Sequence, residues 1–563
     1  MTDSRTRLYQ LFDDHWQATM QNDPVYASMC GDHRYDDQMP SMTLSSMDEW
    51  HSRLLGFKER LQEISTTGLE DSDLLNYTIF TRLLDLDIAE IGYKYFLLPI
   101  SRTAGFHLYL PDLSTYIAFK GTKEYQDYIS RLKAFRRYFE EHIELMREGM
   151  RTNFLPPAVL LDGIESGIEP HIIADSQESV FYLPFKSFPE TISKEDQVNL
   201  SNQAIKAIQE SVVPGYKLLL DFLKEEYQPA ARASISASDL PKGQAFYRHR
   251  IRYFTSLDLS PEQVHATGQA EVKRIRSEMM DVIEQSGFQG DMQAYLHYLR
   301  TDPKFYADTP DQLLKETALI LKRIDGELPH LFNTLPRLSY GIRPIPDFSA
   351  PGNTTAYYMP GSGDGTRAGY YYVNTYDLKS RPFYEIEALS HHEAVPGHHL
   401  QIALQQELTD LPEFRRFNGF TSFVEGWALY AERLGMEMGF YKDPASNFGR
   451  LSYEMWRACR LVVDTGMHSL GWSRQQAIDF MLENTSLTEL NISNEVDRYI
   501  NWPGQALAYK IGELKIRELR TYAEKKLGDR FDLRIFHDII LLAGAVPLDV
   551  LEDRVKDWVE SQK

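Results

Sequence analysis

Four histidines and a glutamate crowd into nine residues, His391-His392-Glu393-Ala-Val-Pro396-Gly397-His398-His399, although the 563-residue chain holds only 16 histidines. Neutral imidazole is the commonest protein ligand for zinc, and a carboxylate beside a metal can take a proton from bound water. His392 with Glu393 therefore reads as a metal ligand followed by a general acid/base. In the familiar H-E-x-x-H signature the second histidine stands four residues on, on the same helical face. Here that position is Pro396, and the next imidazoles follow six and seven residues after His392.

Neither spacing suits a straight helix. Six residues turn about 600°, which leaves His398 about 120° off the face of His392 and about 9 Å along the axis. Seven residues return to the face but rise about 10.5 Å, too far for one ion with bonds of about 2.0–2.1 Å. Proline breaks the hydrogen-bond ladder and glycine permits unusual backbone angles, so a bulge at Pro396-Gly397 is expected to turn His398 back, with His399 as the alternative. A third ligand is expected from Ser422-Phe-Val-Glu425-Gly-Trp427-Ala-Leu-Tyr430-Ala-Glu432, where Glu425 follows His398 by 27 residues, room for an antiparallel return. Glu425 and Glu432 are seven apart on one face, so one can bind metal while the other supports the ligands.

The elements that must hold these residues read mostly as helix. Apolar residues recur at helical spacing over 4–21 and 74–91, and similar stretches cover 122–150, 193–227 and 310–326. Ser260-Pro261-Glu262-Gln263 predicts a capped helix running to about Gln285. Periodicity stops over 328–383, which is dense in Pro, Gly and Tyr; Tyr370-Tyr371-Tyr372-Val373 within it is strand material. The expectation is a mainly α chain, one large domain over 1–563, with a small β element just before the metal-binding region at 384–440 and helices over 448–561. The segment Gly369–Asn374, with Tyr372 and Asn374, is expected to offer a sheet edge to an extended peptide.

The paired motifs H-E-A-V-P-G-H-H-L-Q and F-V-E-G-W-A-L-Y-A-E resemble the bacterial family DUF885, regarded as a branch of the glutamate-ligand zinc peptidases. The likeness extends to Asp-Pro-Val-Tyr-Ala at 23–27, Gly-Tyr-Tyr-Tyr-Val-Asn at 369–374, and Asp497-Arg-Tyr-Ile-Asn-Trp-Pro-Gly-Gln-Ala-Leu-Ala-Tyr-Lys510. It implies a helical domain with a deep catalytic cleft and one zinc per chain on His392, His398 and Glu425, with Glu393 as acid/base. Related peptidases use a tyrosine from a late helix to stabilise the oxyanion, which makes Tyr499 and Tyr509 candidates, with His468 as an imidazole alternative. Arg498 could hold a substrate carboxylate bidentately or form an internal ion pair.

The resulting expectation is zinc-dependent hydrolysis of short peptides, of carboxypeptidase, dipeptidase or oligopeptidase type. One rival is hydrolysis of a non-peptide amide at the same centre. Another is a helical binding protein with a structural metal, which would require a fourth protein ligand such as His391 or His399. A net charge of −21 argues against nucleic acid or an anionic membrane as partner. Two cysteines in no C-x-x-C pair, and no apolar segment long enough to span a bilayer, make a cytoplasmic protein the simplest expectation.

Overall fold

The computed structural model describes residues 2–347, 350, 354–363, 365 and 367–562. The chain is mainly α, and its helices fall where the periodicity places them: α1 (Thr2–Asn22), α2 (Asp71–Gly92), α3 (Thr122–Arg151), α4 (Pro261–Gln285) and α5 (Pro310–Leu331). The stretch 193–227 is helical but interrupted, because wider turns at Ile208–Val212 and Leu223–Tyr227 loosen the ladder. Helix α4 starts as its cap residues require: Ser260 Oγ accepts from the Gln263 amide, and Gln263 Oε1 accepts from the Ser260 amide.

Two compact units divide the chain. Met1–Ile235 with Asp239–Gly243 forms one, and Ser236–Ser238 with Gln244–Lys563 forms the other. The first has an aromatic core in which Phe106, Phe135, Phe139, Phe181 and Tyr216 are buried around α3. Every residue singled out for chemistry belongs to the second unit.

In that unit the 328–383 segment is the small β element. Its strands β1 (Tyr340–Pro344), β2 (Ala356–Met359) and β3 (Gly369–Val373) form a sheet in the order β1-β3-β2. Strand β3 runs parallel to β1, with Tyr340 opposite Gly369, and antiparallel to β2, with Ala356 opposite Val373. Residues 348–349, 351–353, 364 and 366 of this segment lie outside the described residues. The period-2 alternation of a strand sends Tyr371 and Val373 inward, while Tyr370 and Tyr372 are half-buried on the other face, Tyr372 stacked on Tyr357 at 4.9 Å.

Helix α6 (Phe383–Glu393) packs on β2 and on the long, almost wholly buried helix α9 (Pro444–Ser469). Between them in sequence come α7 (His398–Glu407) and α8 (Thr421–Leu434), followed after α9 by α10 (Glu489–Asn501) and α11 (Ala508–Leu527). Helices α8 and α11 cross with their backbones touching. A Cβ on Gly426 would lie 2.5 Å from Gly512 Cα, and one on Gly512 would lie 1.9 Å from the Ser422 carbonyl oxygen. This contact sits one residue from Glu425 and three from Tyr509, so it sets their separation. Lys510 then locks α11 in place: wholly buried, its ammonium meets Glu454 at 2.8 Å, Glu513 at 2.9 Å and Glu271 at 3.0 Å, tying α11 to α9 and α4.

The crossing yields an expected outcome of opposite signs. Gly512→Ala should destabilise the protein by about 1–3 kcal/mol, because the new methyl overpacks a backbone contact. Gly326→Ala, in α5 with open space around the added carbon, should stabilise it by up to about 1 kcal/mol through helix propensity. Melting temperatures of the two variants against wild type check both signs.

Candidate metal centre

The two imidazoles converge because the helix stops between them. Helix α6 ends at Glu393, Val395–Pro396 is a cis peptide, and α7 begins afresh at His398. The expected bulge is thus a complete break. Nor is its glycine needed for a positive φ, since Gly397 has φ −75°. It is needed for space: a Cβ there would lie 2.0 Å from the His392 carbonyl oxygen and 2.3 Å from that of His391. The Trp427 indole N–H donates to the Pro396 carbonyl at 2.8 Å, pinning the break to α8.

His392, His398 and Glu425 are the one group of metal-ligating side chains that the described residues bring together, with all donor atoms within 4.8 Å of one another. Glu425 Oε2 is 3.5 Å from Nε2 of each histidine, and the side chains are 18 %, 4 % (His392) and 12 % (His398) exposed. A charge-assisted N–H···O bond is about 2.7–2.9 Å long, so these contacts are too long for good hydrogen bonds. They match another geometry: tetrahedral ligands at about 2.0–2.1 Å from zinc stand about 3.3–3.4 Å apart. Glu425 Oε2 is buried without a hydrogen-bond partner, as an oxygen reserved for a cation would be.

Glu432 supplies the support expected of the second carboxylate. His392 Nδ1 donates to Glu432 Oε1 at 2.8 Å, and the Arg457 guanidinium lies 3.3 Å from the same oxygen. With its proton on Nδ1, His392 turns the Nε2 lone pair toward Glu425, the arrangement that second-shell carboxylates impose on metal-ligating histidines. Burial would push the His392 pKa down, but the Glu425 and Glu432 carboxylates outweigh it and raise it to about 10. Burial likewise opposes ionisation of Glu425, yet His398 and His392 hold it well below the usual carboxylate range. The donor set, two imidazoles and a carboxylate, fits zinc.

The alternatives are engaged elsewhere. His399 Nδ1 pairs with the Tyr358 hydroxyl at 2.8 Å and its Nε2 donates to the Leu338 carbonyl at 3.0 Å, so neither nitrogen is left for a metal. His391 Nδ1 bonds the Glu387 carbonyl at 2.6 Å and its ring sits edge-on to Phe440; its Nε2 is buried without a hydrogen-bond partner but lies outside the converging group. Glu393, at the end of α6, is 9 % exposed, and its carboxylate makes no hydrogen bond or ion pair with the described residues.

The other sequence candidates separate clearly. Tyr509 stays near the centre, its ring parallel to that of His392 at 6.5 Å with 16° between planes. Tyr499 is withdrawn: its hydroxyl accepts from Trp456 Nε1 at 2.9 Å and Arg460 Nε at 2.8 Å. His468 is a core histidine, accepting from the Ala237 amide and donating to the Tyr499 carbonyl, both at 3.0 Å, which removes it as an oxyanion donor. Asn374 is wholly buried and braces the preceding loop, donating to the Ala350 and Thr354 carbonyls. It does not face a substrate. The edge expected at Gly369–Asn374 is also corrected: β3 is the middle strand, hydrogen-bonded on both sides, so Tyr372 lies inside the sheet and the edges are β1 and β2. Arg457, Arg460 and Trp456 escaped the sequence reading. No local signal marks them, because the same helix also carries Arg450, Glu454 and Asp464, and only its near-complete burial shows that these arginines need buried acceptors.

A model of a bacterial protein family of unknown function, DUF885, matches residues 24–555. No curated protein matches. Among solved structures, that described as "the putative lipoprotein from Colwellia psychrerythraea" is 30% identical, with 99% of each chain covered and a TM-score of 0.92. A "putative lipoprotein of unknown function from Shewanella oneidensis" is 17% identical over 97% of this chain and 99% of the other, with a TM-score of 0.71, a likeness of fold alone.

His398→Ala should weaken zinc binding far more than His399→Ala, which should instead lower thermal stability by stripping two buried hydrogen bonds. Gly397→Ala should follow His398→Ala, because the added methyl displaces the start of α7. Zinc titration of the three proteins at one pH, beside their melting curves, checks this; equal affinity in both histidine variants would contradict it.

Proposed function

Because the chain belongs to the bacterial family DUF885, whose description carries no activity, we propose from its site that it is a zinc-dependent peptidase acting on short peptides. The observation that carries this reading is the Glu425 carboxylate oxygen buried 3.5 Å from two imidazole nitrogens with no hydrogen-bond partner. His392, His398 and Glu425 would hold the ion. When bound there, zinc supplies a Lewis acid and lowers the pKa of a water from 15.7 to about 7.

Glu393 supplies the proton chemistry. Adjacent to a ligand and without a hydrogen-bond or ion-pair partner among the described residues, its carboxylate can accept a proton from the attacking water and pass it to the leaving amine. Tyr509, beside His392, can donate its phenolic proton as a hydrogen bond to the developing oxyanion. A peptide can add as a strand only where a sheet has an edge, and β2 (Ala356–Met359) is the edge that packs on α6. Three ligands and a neighbouring base also argue for catalysis over a structural metal, since neither candidate fourth ligand joins the group among the described residues: His399 is bonded through both nitrogens, and His391 lies outside the converging donor atoms.

The cytoplasmic location expected from the sequence finds no support among the relatives. The 30%-identical Colwellia structure is described as a "putative lipoprotein", which favours a lipid-anchored or secreted setting for this chain too; recovery in the cytosolic fraction of its host would contradict that. Among the described residues no helix is long and apolar enough to cross a membrane.

Protein purified without chelator should carry about one zinc per chain, and His392→Ala or Glu425→Ala should lose it with the helical content intact. Glu393→Gln should retain the metal and lose peptide hydrolysis by about 10²–10⁴-fold, since the amide keeps the shape but accepts no proton. A peptide-library digest paired with metal analysis checks both, and wild-type turnover by Glu393→Gln would remove Glu393 from the reaction.

A further inference from the structure

The sequence leaves Arg498 either a clamp for a substrate carboxylate or an internal ion pair, and its surroundings add a further task. One amino group of its guanidinium, Nη2, is fully used, donating to Gln505 Oε1 at 2.9 Å and to the Tyr509 hydroxyl at 3.1 Å. The other, Nη1, lies 3.5 Å from Glu495 Oε2, a carboxylate that also takes Arg460 Nη2 at 3.0 Å. A bidentate clamp needs two parallel free N–H groups. On Arg498 one amino group is spent on Gln505 and Tyr509 and the other faces Glu495.

The contact with Tyr509 has a definite polarity. A guanidinium carries only donors, so in this bond the phenol oxygen must accept. The single phenolic hydrogen of Tyr509 is then left without a partner among the described residues. The ring that carries it lies parallel to His392, with the Arg460 guanidinium over it at 4.5 Å. Arg460 is itself fixed by the Tyr499 hydroxyl and by Glu495. Tyr499, Arg460, Glu495 and Arg498 thus form one buried frame around one phenol.

We propose that Arg498 is a positioning residue for Tyr509: by donating to the phenol oxygen it fixes the ring and leaves the O–H as a donor aimed at the reaction centre. This rests on the zinc-peptidase reading of the site. Donation into the oxygen also polarises the O–H, because hydrogen bonds in a chain strengthen one another. Tyr499 differs because its oxygen accepts twice and its hydroxyl is also hydrogen-bonded to Glu495, so it serves as a strut for Arg460.

The test is a double-mutant cycle on the zinc-loaded enzyme with Arg498→Gln, Tyr509→Phe and their combination, alongside Arg498→Lys. Each is assayed on peptides with free and with amidated C-termini. Tyr509→Phe should lower kcat by about 10²–10³-fold. Arg498→Gln should lower kcat by about 10-fold or more with KM little changed on both peptide types, and the double variant should be no slower than Tyr509→Phe alone. Arg498→Lys, which keeps a donor and the charge beside Glu495, should recover part of kcat even if Arg498→Gln folds poorly. A readout independent of turnover is calorimetric binding of a phosphinic peptide, whose tetrahedral oxygens should bind more weakly to Arg498→Gln and Tyr509→Phe alike. A rise in KM confined to free-carboxylate peptides would restore the clamp and overturn the proposal, as would additive losses in the double variant or an unchanged kcat in Arg498→Gln. A wild type with no zinc-dependent hydrolysis would instead sink the reading of the whole site, and this role with it.

Discussion

Three potential ligand atoms, Nε2 of His392, Nε2 of His398 and Oε2 of Glu425, are held together in a largely buried place that calls for positive charge, supplied by a metal ion or, without one, by a proton on His392. Much of the second unit can be understood as the apparatus that enforces this encounter. Glu432 fixes the tautomer of His392 from behind. The interruption at Gly397 delivers the second imidazole at a spacing no straight helix allows, and only a residue without a side chain lets the chain pass the His392 carbonyl so closely. The glycine-to-glycine crossing of α8 and α11 sets the separation of the two helices that carry the third ligand and Tyr509.

Such an arrangement carries an energetic burden that the surrounding charges offset. Lys510 is buried among three carboxylates, and Arg274, Arg450 and Arg517 share those same partners. Well-packed apolar residues would be as stable there or more so, because desolvation consumes most of the Coulombic gain of a buried ion pair. What such pairs provide is register: α11 can sit against α9 and α4 in one way only, and Tyr509 neighbours Lys510. Local rules are broken where the chemistry is, with a helix cut short, an unpaired carboxylate and arginines inside a core, while the flanking helices obey their caps and periodicity.

That contrast explains how far the sequence could be read. Helices such as Pro261–Gln285 were legible because cap, first-turn proline and apolar spacing are local signals. His392 and Glu393 were legible from chemistry, and the need to interrupt the helix followed from 3.6 residues per turn. The division of labour between Glu425 and Glu432 was legible only through the family resemblance and not from spacing, because residues seven apart share a face and the packing of α8 on α6 distinguishes them. His468 and Asn374 misled for a common reason: their partners are backbone carbonyls and amides, which leave no mark in the sequence. Strand Gly369–Val373 was recognisable as a strand, but its place in the middle of the sheet depends on pairing with Tyr340–Pro344, 29 residues earlier. Arg498 misled because a lone arginine looks the same whether it meets a ligand or a phenol.

The most direct measurement is anomalous diffraction at the zinc edge from crystals of the protein purified without chelator. The account predicts one strong peak per chain, about 2.0–2.1 Å from His392 Nε2, His398 Nε2 and Glu425 Oε2, with the His392–Glu432 contact preserved behind it. A zinc-soaked crystal with no peak at that point, or one whose peak takes His399 or a fourth protein side chain as ligand, would contradict it.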